Sequence, residues 1–379
     1  MENQNTNRPT WAGISLENLA FNFNSVRDFI GHEIRIMGVV KANAYGHGAV
    51  QCAKRLESEG IDWLAVALPE EGVELRKAGI KKPILCLGSF WGGQENLLIE
   101  NDLTPVVYRI EDAELLNDVA DRRGITTDIH VKIDTGMGRV GVRHDAADEF
   151  AKDLAKFPSL NVDGLMTHFA SADDLNETAF TNLQIERFER AVGIFHEFGF
   201  NPTNIDLANS PGAIVHPNSR GNMVRLGGIL YGLGDDVLPQ NAPKPDFRPV
   251  LSLRTRIAHL KSVPKGETLG YGRTFITERD SLIATIPIGY ADGYSRRLSG
   301  HGRAVVNGKY VPTAGRISMD WTLLDVTDAG NVSVEDEVTL IGESGGIEIR
   351  ASEPASVTGT ISYEITCGIS RRVPRRYEG

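Results

Sequence analysis

Eight short β-rich runs, each followed by a stretch of helical spacing, constrain this chain more than any other feature. The runs are IRIMGVV (34–40), WLAVA (63–67), PILCLG (83–88), TPVVY (104–108), DIHVKID (128–134), VDGLMTHF (162–169), NIDLAN (204–209) and MVRLGGILY (223–231). Between them lie segments with charged faces and helical period, among them AVQCAKRLESEG (49–60), PEEGVELRKAG (69–79) and LQIERFERAVGIFHEFG (183–199). Strands alternating with helices imply βα units around a parallel sheet. Eight units over about 230 residues match a (β/α)8 TIM-like barrel in count and size. A doubly wound open sheet is the competitor, but its G-x-G-x-x-G fingerprint is missing after the first strand.

The texture changes after PQNAPKPDFRP (239–249). LSLRTRIAHLKSV, SLIATIPIGYADG, RAVVNGKYVPTAG and DEVTLIGESG are strand-like with turn residues between them, and helical period returns only around SEPASVTGTISYEITC. A chain of 379 residues is long for one core. The expected division is therefore a barrel over 1–245 and a mostly β domain over 246–379. Forty basic against fifty acidic residues give a net charge of −10, which argues against general affinity for nucleic acid or anionic membranes. The one dense basic cluster, RRVPRR from Arg371 to Arg376, reads as a solvated tail. Cys52, Cys86 and Cys367 have neither a metal spacing nor a disulfide pattern, and Cys86 in ILCLG reads as a small buried apolar residue. No metal is expected. The N-terminal MENQNTNRPTWAG is polar and no apolar run approaches a membrane span, so a cytoplasmic location is expected.

In a barrel of this kind chemistry gathers at the carboxyl ends of the strands. The first run delivers Lys41 and then Tyr45. The fifth delivers Lys132, Asp134 and Arg139, the sixth His168, the seventh Asn209 and Ser210, and the eighth Arg225 with Gly227 and Gly228. Each has a plainer reading alone: Lys41 snorkels, Asp134 starts a turn, Asn209 and Ser210 cap a helix, and Arg225 pairs with a scaffold carboxylate. Their joint placement at one mouth favours function. Glycines after a final barrel strand let backbone amides approach an anion, and Ser210 and Tyr45 can each donate a hydroxyl hydrogen bond to it. A lysine amine beside a phosphate pocket suggests a phosphate-bearing aldehyde held as a Schiff base, and pyridoxal 5′-phosphate is the common cofactor of that description.

These residues resemble the alanine racemases, fold-type III pyridoxal-phosphate enzymes. The matching stretches are VVKANAYGHG (39–48), HVKIDTGMGRVG (130–141), ANSPGA (208–213), VRLGGILYG (224–232), LGYGRTF (269–275), IGYADGY (288–294), AGRISMDW (314–321) and TISYEITC (360–367). The resemblance implies that Lys41 binds the cofactor covalently, and that Tyr45, Ser210, Gly227, Gly228 and Tyr363 hold its phosphate. It places Arg139 against the phenolic oxygen, Arg225 against the pyridine nitrogen and His168 beside the ring. Tyr271 becomes the second catalytic base, Met319 a neighbour of the substrate carboxylate, and Tyr290 and Arg316 the lining of the entrance. Two positions depart from the family pattern. Arg225-Leu226-Gly227-Gly228 stands where R-P-G-I is common, and Asp206 stands where a histidine or apolar residue is expected.

Racemisation removes the Cα proton and returns one to the opposite face, which two bases accomplish. The resemblance gives Lys41 the D-face and Tyr271 the L-face. Both begin with pKa values above about 10, so neighbouring cations must lower them, and Arg225, Arg139 and His168 are the available sources. Lys41 and Tyr271 fall in different expected domains. The resemblance implies a homodimer in which Tyr271, Tyr290, Arg316 and Met319 serve the partner's cofactor, while Tyr363 stays in the cofactor's own chain. It also raises carbamylation of Lys132, against an ordinary ammonium paired with Asp134. The implied role is D-alanine supply for peptidoglycan. The alternative is a broad-specificity or serine racemase. A non-catalytic carrier would lack the β domain, and a decarboxylase would place a glutamate where Arg225 stands.

Overall fold

The structure, a computed structural model, describes residues 8–379; the first seven residues of the polar N-terminal stretch lie outside it. Eight parallel strands close into a barrel: Arg35–Val39, Trp63–Val66, Ile84–Cys86, Thr104–Val107, Thr127–Asp134, Leu160–Met166, Asn204–Asp206 and Met223–Leu226. The last pairs with the first through Arg225 opposite Met37, and Val106 opposite His130 joins the fourth strand to the fifth. Barrel strands are covered on both faces, which is why they read as unbroken apolar runs. Ile36, Met37, Leu64, Val66, Ile84, Val106 and Val107 are all fully buried. Helices follow the strands on the outside, from Ala49–Ser58 and Pro69–Lys77 to Thr178–Glu197 and the short Ser210–Val215.

The rest of the chain is mostly β. Its larger sheet runs in the order Lys309–Pro312, Arg303–Val306, Glu337–Ser344, Leu251–Arg256, Thr10–Ser15, Arg375–Glu378. A three-stranded sheet of His259–Val263, Ser281–Ile286 and Thr322–Asp325 lies beyond it, and two short helices, Ser352–Thr358 and Ser362–Gly368, come near the end.

Two features of that sheet differ from expectation. Thr10–Ser15, inside the stretch assigned to the barrel, is a strand of the second sheet: it runs antiparallel to Leu251–Arg256 and parallel to Arg375–Glu378. This pairing buries Trp11, Ala12 and Ile14. The basic cluster is not a solvated tail either. Val373 is buried, Arg375 begins the last strand, and its guanidinium donates to the carbonyls of Gly46, Ile369, Ser370 and Val373 at 2.6–3.0 Å. Five N–H donors in a fixed fork suit a cluster of otherwise unpaired carbonyls.

The turn after the first barrel strand is the most unusual backbone in the barrel. Ala42, Asn43, Ala44 and Tyr45 have φ of 52–55°, a left-handed helical turn that continues into Gly46 at 86°. For residues other than glycine this costs about 1–2 kcal/mol each. Local bonds offset it: Ala44 N–H donates to Val40 O at 2.8 Å, Gly48 N–H to Asn43 O at 2.8 Å, and Ala49 N–H to Asn43 Oδ1 at 2.9 Å. Glu71, from the next βα unit, adds a clamp by accepting from Ala42 N–H at 2.7 Å with one oxygen and from Ala67 N–H at 2.7 Å with the other.

Candidate active site

Lys41 stands at the start of that turn, partly buried at the barrel mouth. Burial lowers the pKa of its amine, and the positive charges of Arg139 and Arg225 lower it further, against the opposing pull of Glu71. A larger fraction of neutral amine follows at neutral pH.

The left-handed turn carries Tyr45 inward, where its ring meets Tyr231 at 5.1 Å and Tyr363 at 5.3 Å between centroids. Tyr231 is itself fixed by donating to Val39 O at 2.8 Å. Opposite these rings lie Gly227 and Gly228, just after the eighth barrel strand. Gly227 N–H donates to Ser210 Oγ at 3.0 Å. A Cβ at Gly227 would fall 2.5 Å from the Tyr45 hydroxyl, and one at Gly228 would fall 2.1 Å from the Tyr363 hydroxyl. Three hydroxyls thus converge on two glycines, a cradle that a side chain at either position would fill. Burial pushes both tyrosine pKa values up, so both phenols remain O–H donors at neutral pH. The cradle suits a phosphate, and with the Lys41 amine beside it the residues fit a phosphate-bearing aldehyde. The Gly228 departure has a physical reason here: it leaves room for Tyr363.

Asn209 caps the helix Ser210–Val215 by accepting from Gly212 N–H at 3.0 Å, so its side-chain oxygen is engaged in scaffolding. Arg225, 4% exposed, is held from several sides. It forms an ion pair with Asp206 through Nη1, donates to Thr167 O at 2.8 Å and faces His168 Nδ1 at 3.0 Å through Nη2. His168 is kept neutral: burial, then Arg225, Lys132 and Arg139, push its pKa down to about 2. Lys132 is 4% exposed, and burial with Arg225 and Arg139 lowers its pKa to about 7. Asp134 does start the turn, accepting from Gly136 and Gly138 N–H at 3.0 Å each, and among the described residues it makes no ion pair with Lys132. Arg139 lies exposed on the loop beyond.

The remaining candidates gather elsewhere. Tyr271 is 71% exposed, and Tyr290, Arg316 and Met319 are exposed as well. Their loops are tied together: Tyr290 N–H donates to Ser318 O, Ala291 N–H donates to Met319 O, and a Cβ at Gly272 would meet the Arg316 guanidinium. Tyr363, although late in the chain, joins Tyr45 and Gly228 at the barrel mouth.

Three supporting residues escape sequence reasoning. Glu71 and Arg375 hold the turn behind Lys41. Asp236 caps the helix bearing Tyr363, accepting from Ser362 N–H and Ser362 Oγ at 2.6 Å each. Glu71 had one available signal, an acid in the first turn of a helix that opens with proline. Asp236 and Arg375 act across 126 and 329 residues and leave no local signature.

The N- and C-terminal domain families described as alanine racemase match residues 14–235 and 250–377. An alanine racemase of Halothermothrix orenii is 46% identical over 99% of this chain and 98% of its own. The alanine racemase structure from Clostridium difficile 630 superposes with a TM-score of 0.92 at 39% identity, covering 98% of this chain and 96% of that one. At 26% identity and a TM-score of 0.87, an alanine racemase from Bartonella henselae with covalently bound pyridoxal phosphate covers 98% of this chain and 99% of its own.

Proposed function

The chain belongs to the alanine racemase family and is an amino-acid isomerase, and from that premise we propose that it interconverts L- and D-alanine with two bases, Lys41 and Tyr271, and pyridoxal 5′-phosphate. The observation that carries this reading is the meeting of a lysine amine of lowered pKa with the cradle of Tyr45, Ser210, Tyr363, Gly227 and Gly228. Lys41 would hold the cofactor through its amine and the cradle would take the phosphate. Arg225 would face the ring nitrogen as a permanent donor, with Arg139 at the phenolic oxygen. When bound, the cofactor supplies a conjugated system over which the electron pair left at Cα spreads.

The protein moves the protons. The neutral amine of Lys41 takes the Cα proton of D-alanine, and the Tyr271 oxygen takes that of L-alanine. When one base has taken the Cα proton, the other delivers a proton to the opposite face. Arg139 and Arg225 near Lys41 disfavour its ammonium, keeping it competent near neutral pH. His168, neutral beside Arg225, is a fixed hydrogen-bonding partner rather than a third charge.

Tyr271, Tyr290, Arg316 and Met319 form one exposed rim in the single chain. In our reading that rim covers the barrel mouth of a second copy, so that each site of a homodimer draws Lys41 from one chain and Tyr271 from the other. Lys132, with a pKa near 7, holds a neutral amine fraction from which a carbamate facing Arg139 could form. Cytoplasmic supply of D-alanine for peptidoglycan is the role that fits.

The test is incubation of the purified protein and cofactor with L-alanine in D2O, following Cα deuteration and product chirality beside Tyr271→Phe. Deuterated D-alanine from the wild type with inversion sharply reduced in the variant is expected. Exchange without inversion in the wild type would refute the two-base assignment, and no exchange would refute alanine as substrate.

A further inference from the structure

Asp206 ends the seventh barrel strand with its side chain wholly buried. One carboxylate oxygen pairs with Arg225 Nη1, while the other, Oδ1, is buried without a hydrogen-bond partner. A half-satisfied buried carboxylate is costly unless surrounding charge favours it. Burial pushes the Asp206 pKa up, while its ion pair with the permanently charged Arg225 guanidinium favours the carboxylate, and Lys132 and His130 also lie near it; the His130 ring itself stands 3.6 Å from Asp163. His130 and Lys132 stand two residues apart on the fifth strand, so their side chains share its inner face. Lys132 and Asp206 lie level across the sheet, each opposite Met166 of the strand between them, and burial, Arg225 and Arg139 disfavour the Lys132 ammonium while Asp134 and Asp206 favour it. Asp134 is half-buried and its Oδ1 accepts from two backbone amides of its own turn, whereas Asp206 is wholly buried with Oδ1 unpartnered.

We infer that Asp206 is a positioning residue which fixes the Arg225 guanidinium and supplies the negative charge that offsets the cationic lining formed by Arg225 and Lys132. The first part follows from geometry. Asp206 holds Nη1 while Thr167 O and His168 Nδ1 hold Nη2, so the guanidinium plane is held at both ends. A guanidinium fixed in this way presents its remaining donor capacity in one direction. The second part follows from charge: without Asp206, Lys132 would face two arginines with only Asp134 to favour its ammonium. The functional consequence rests on the reading of Arg225 as the partner of the cofactor's ring nitrogen, since that contact is what a fixed guanidinium serves.

Two variants separate the parts. Asp206→Asn keeps the volume and an acceptor oxygen toward Arg225 but removes the charge, and Asp206→Ala removes both. Trace acetylation of the cofactor-free protein across pH 5–10, read by peptide mass spectrometry, reports the Lys132 pKa without catalysis. In Asp206→Asn that pKa should fall by about one pH unit, because the carboxylate favouring the ammonium is gone. Pyridoxal phosphate affinity, read by absorbance titration, should stay within about threefold of wild type in Asp206→Asn and weaken about tenfold or more in Asp206→Ala. An unmoved Lys132 pKa overturns the charge role, and unchanged affinity in Asp206→Ala overturns the positioning role. Should Asp206→Asn fail to fold, the double variant with Arg225→Gln removes both charges of the pair: recovered folding supports the pairing, and continued failure overturns it. If the wild type itself bound no pyridoxal phosphate, the cofactor reading would fall while the Lys132 titration still decided the charge role.

Discussion

The Tyr363 hydroxyl occupies the space that a side chain at Gly228 would need, 2.1 Å from where its Cβ would stand. The clash would be with a ring already packed on Tyr45, so it has little freedom to move aside. Gly228→Ala should therefore displace Tyr363 and weaken pyridoxal phosphate binding about tenfold with the fold intact, read by absorbance titration beside circular dichroism.

Glu71 clamps two loops with one carboxylate. Glu71→Ala leaves the first amide of a left-handed turn without that acceptor and should cost about 3 kcal/mol of stability, since hydrogen bonds to a charged group contribute about 1.5–3 each. Denaturant unfolding measures the loss. Cofactor affinity should fall with it, because Lys41 and Tyr45 flank the released segment.

Lys132 makes stability depend on pH. Its folded pKa, about 7, lies below the ordinary lysine value of 10.5, so between those limits the unfolded chain binds the extra proton. Stability must then rise with pH across that window, with a slope approaching about 1.4 kcal/mol per pH unit, and the penalty is fully present below pH 7. Lys132→Met should abolish that part of the slope. Melting temperatures of cofactor-free protein from pH 7 to 10, in buffer freed of carbon dioxide, provide the comparison.

Mixing inactive chains tests the shared site. Lys41→Ala and Tyr271→Phe each disable both sites of a homodimer, but a mixed dimer regains one site with both bases. Random re-association of equal amounts should restore about a quarter of wild-type activity. Absence of recovery, with mixed dimers verified by native mass spectrometry, would mean that both bases come from one chain.

Substrate size is the last expectation. Tyr363→Ala should raise turnover of serine relative to alanine. If serine turnover does not rise in a variant that still binds cofactor, the ring does not limit the pocket.

The barrel was legible because its strands are buried on both faces and so appear as continuous apolar runs such as PILCLG. The candidate site could be listed from sequence because five of the eight runs, the first and the fifth to eighth, lead into polar residues from Lys41 to Arg225. What could not be seen depends on chain segments far apart in sequence. TWAGIS is a strand because Leu251–Arg256 and Arg375–Glu378 flank it, and Arg375 looks like tail charge until four carbonyls converge on it. Asp206 was visible only as a departure. Its pairing with Arg225 needs two strands placed side by side, and Met223 opposite Asp206 supplies that register.

The neighbouring strands Thr10–Ser15 and Arg375–Glu378 couple the second sheet to the barrel mouth. Thr10–Ser15 precedes the barrel in the chain and Arg375–Glu378 follows it, so without the later strand the earlier one presents an unpaired edge. The same late segment brings the guanidinium that binds Gly46 O in the turn behind Lys41. Loss of the strand that begins at Arg375 therefore leaves the barrel without its latch, and damage to the second sheet is felt at the mouth.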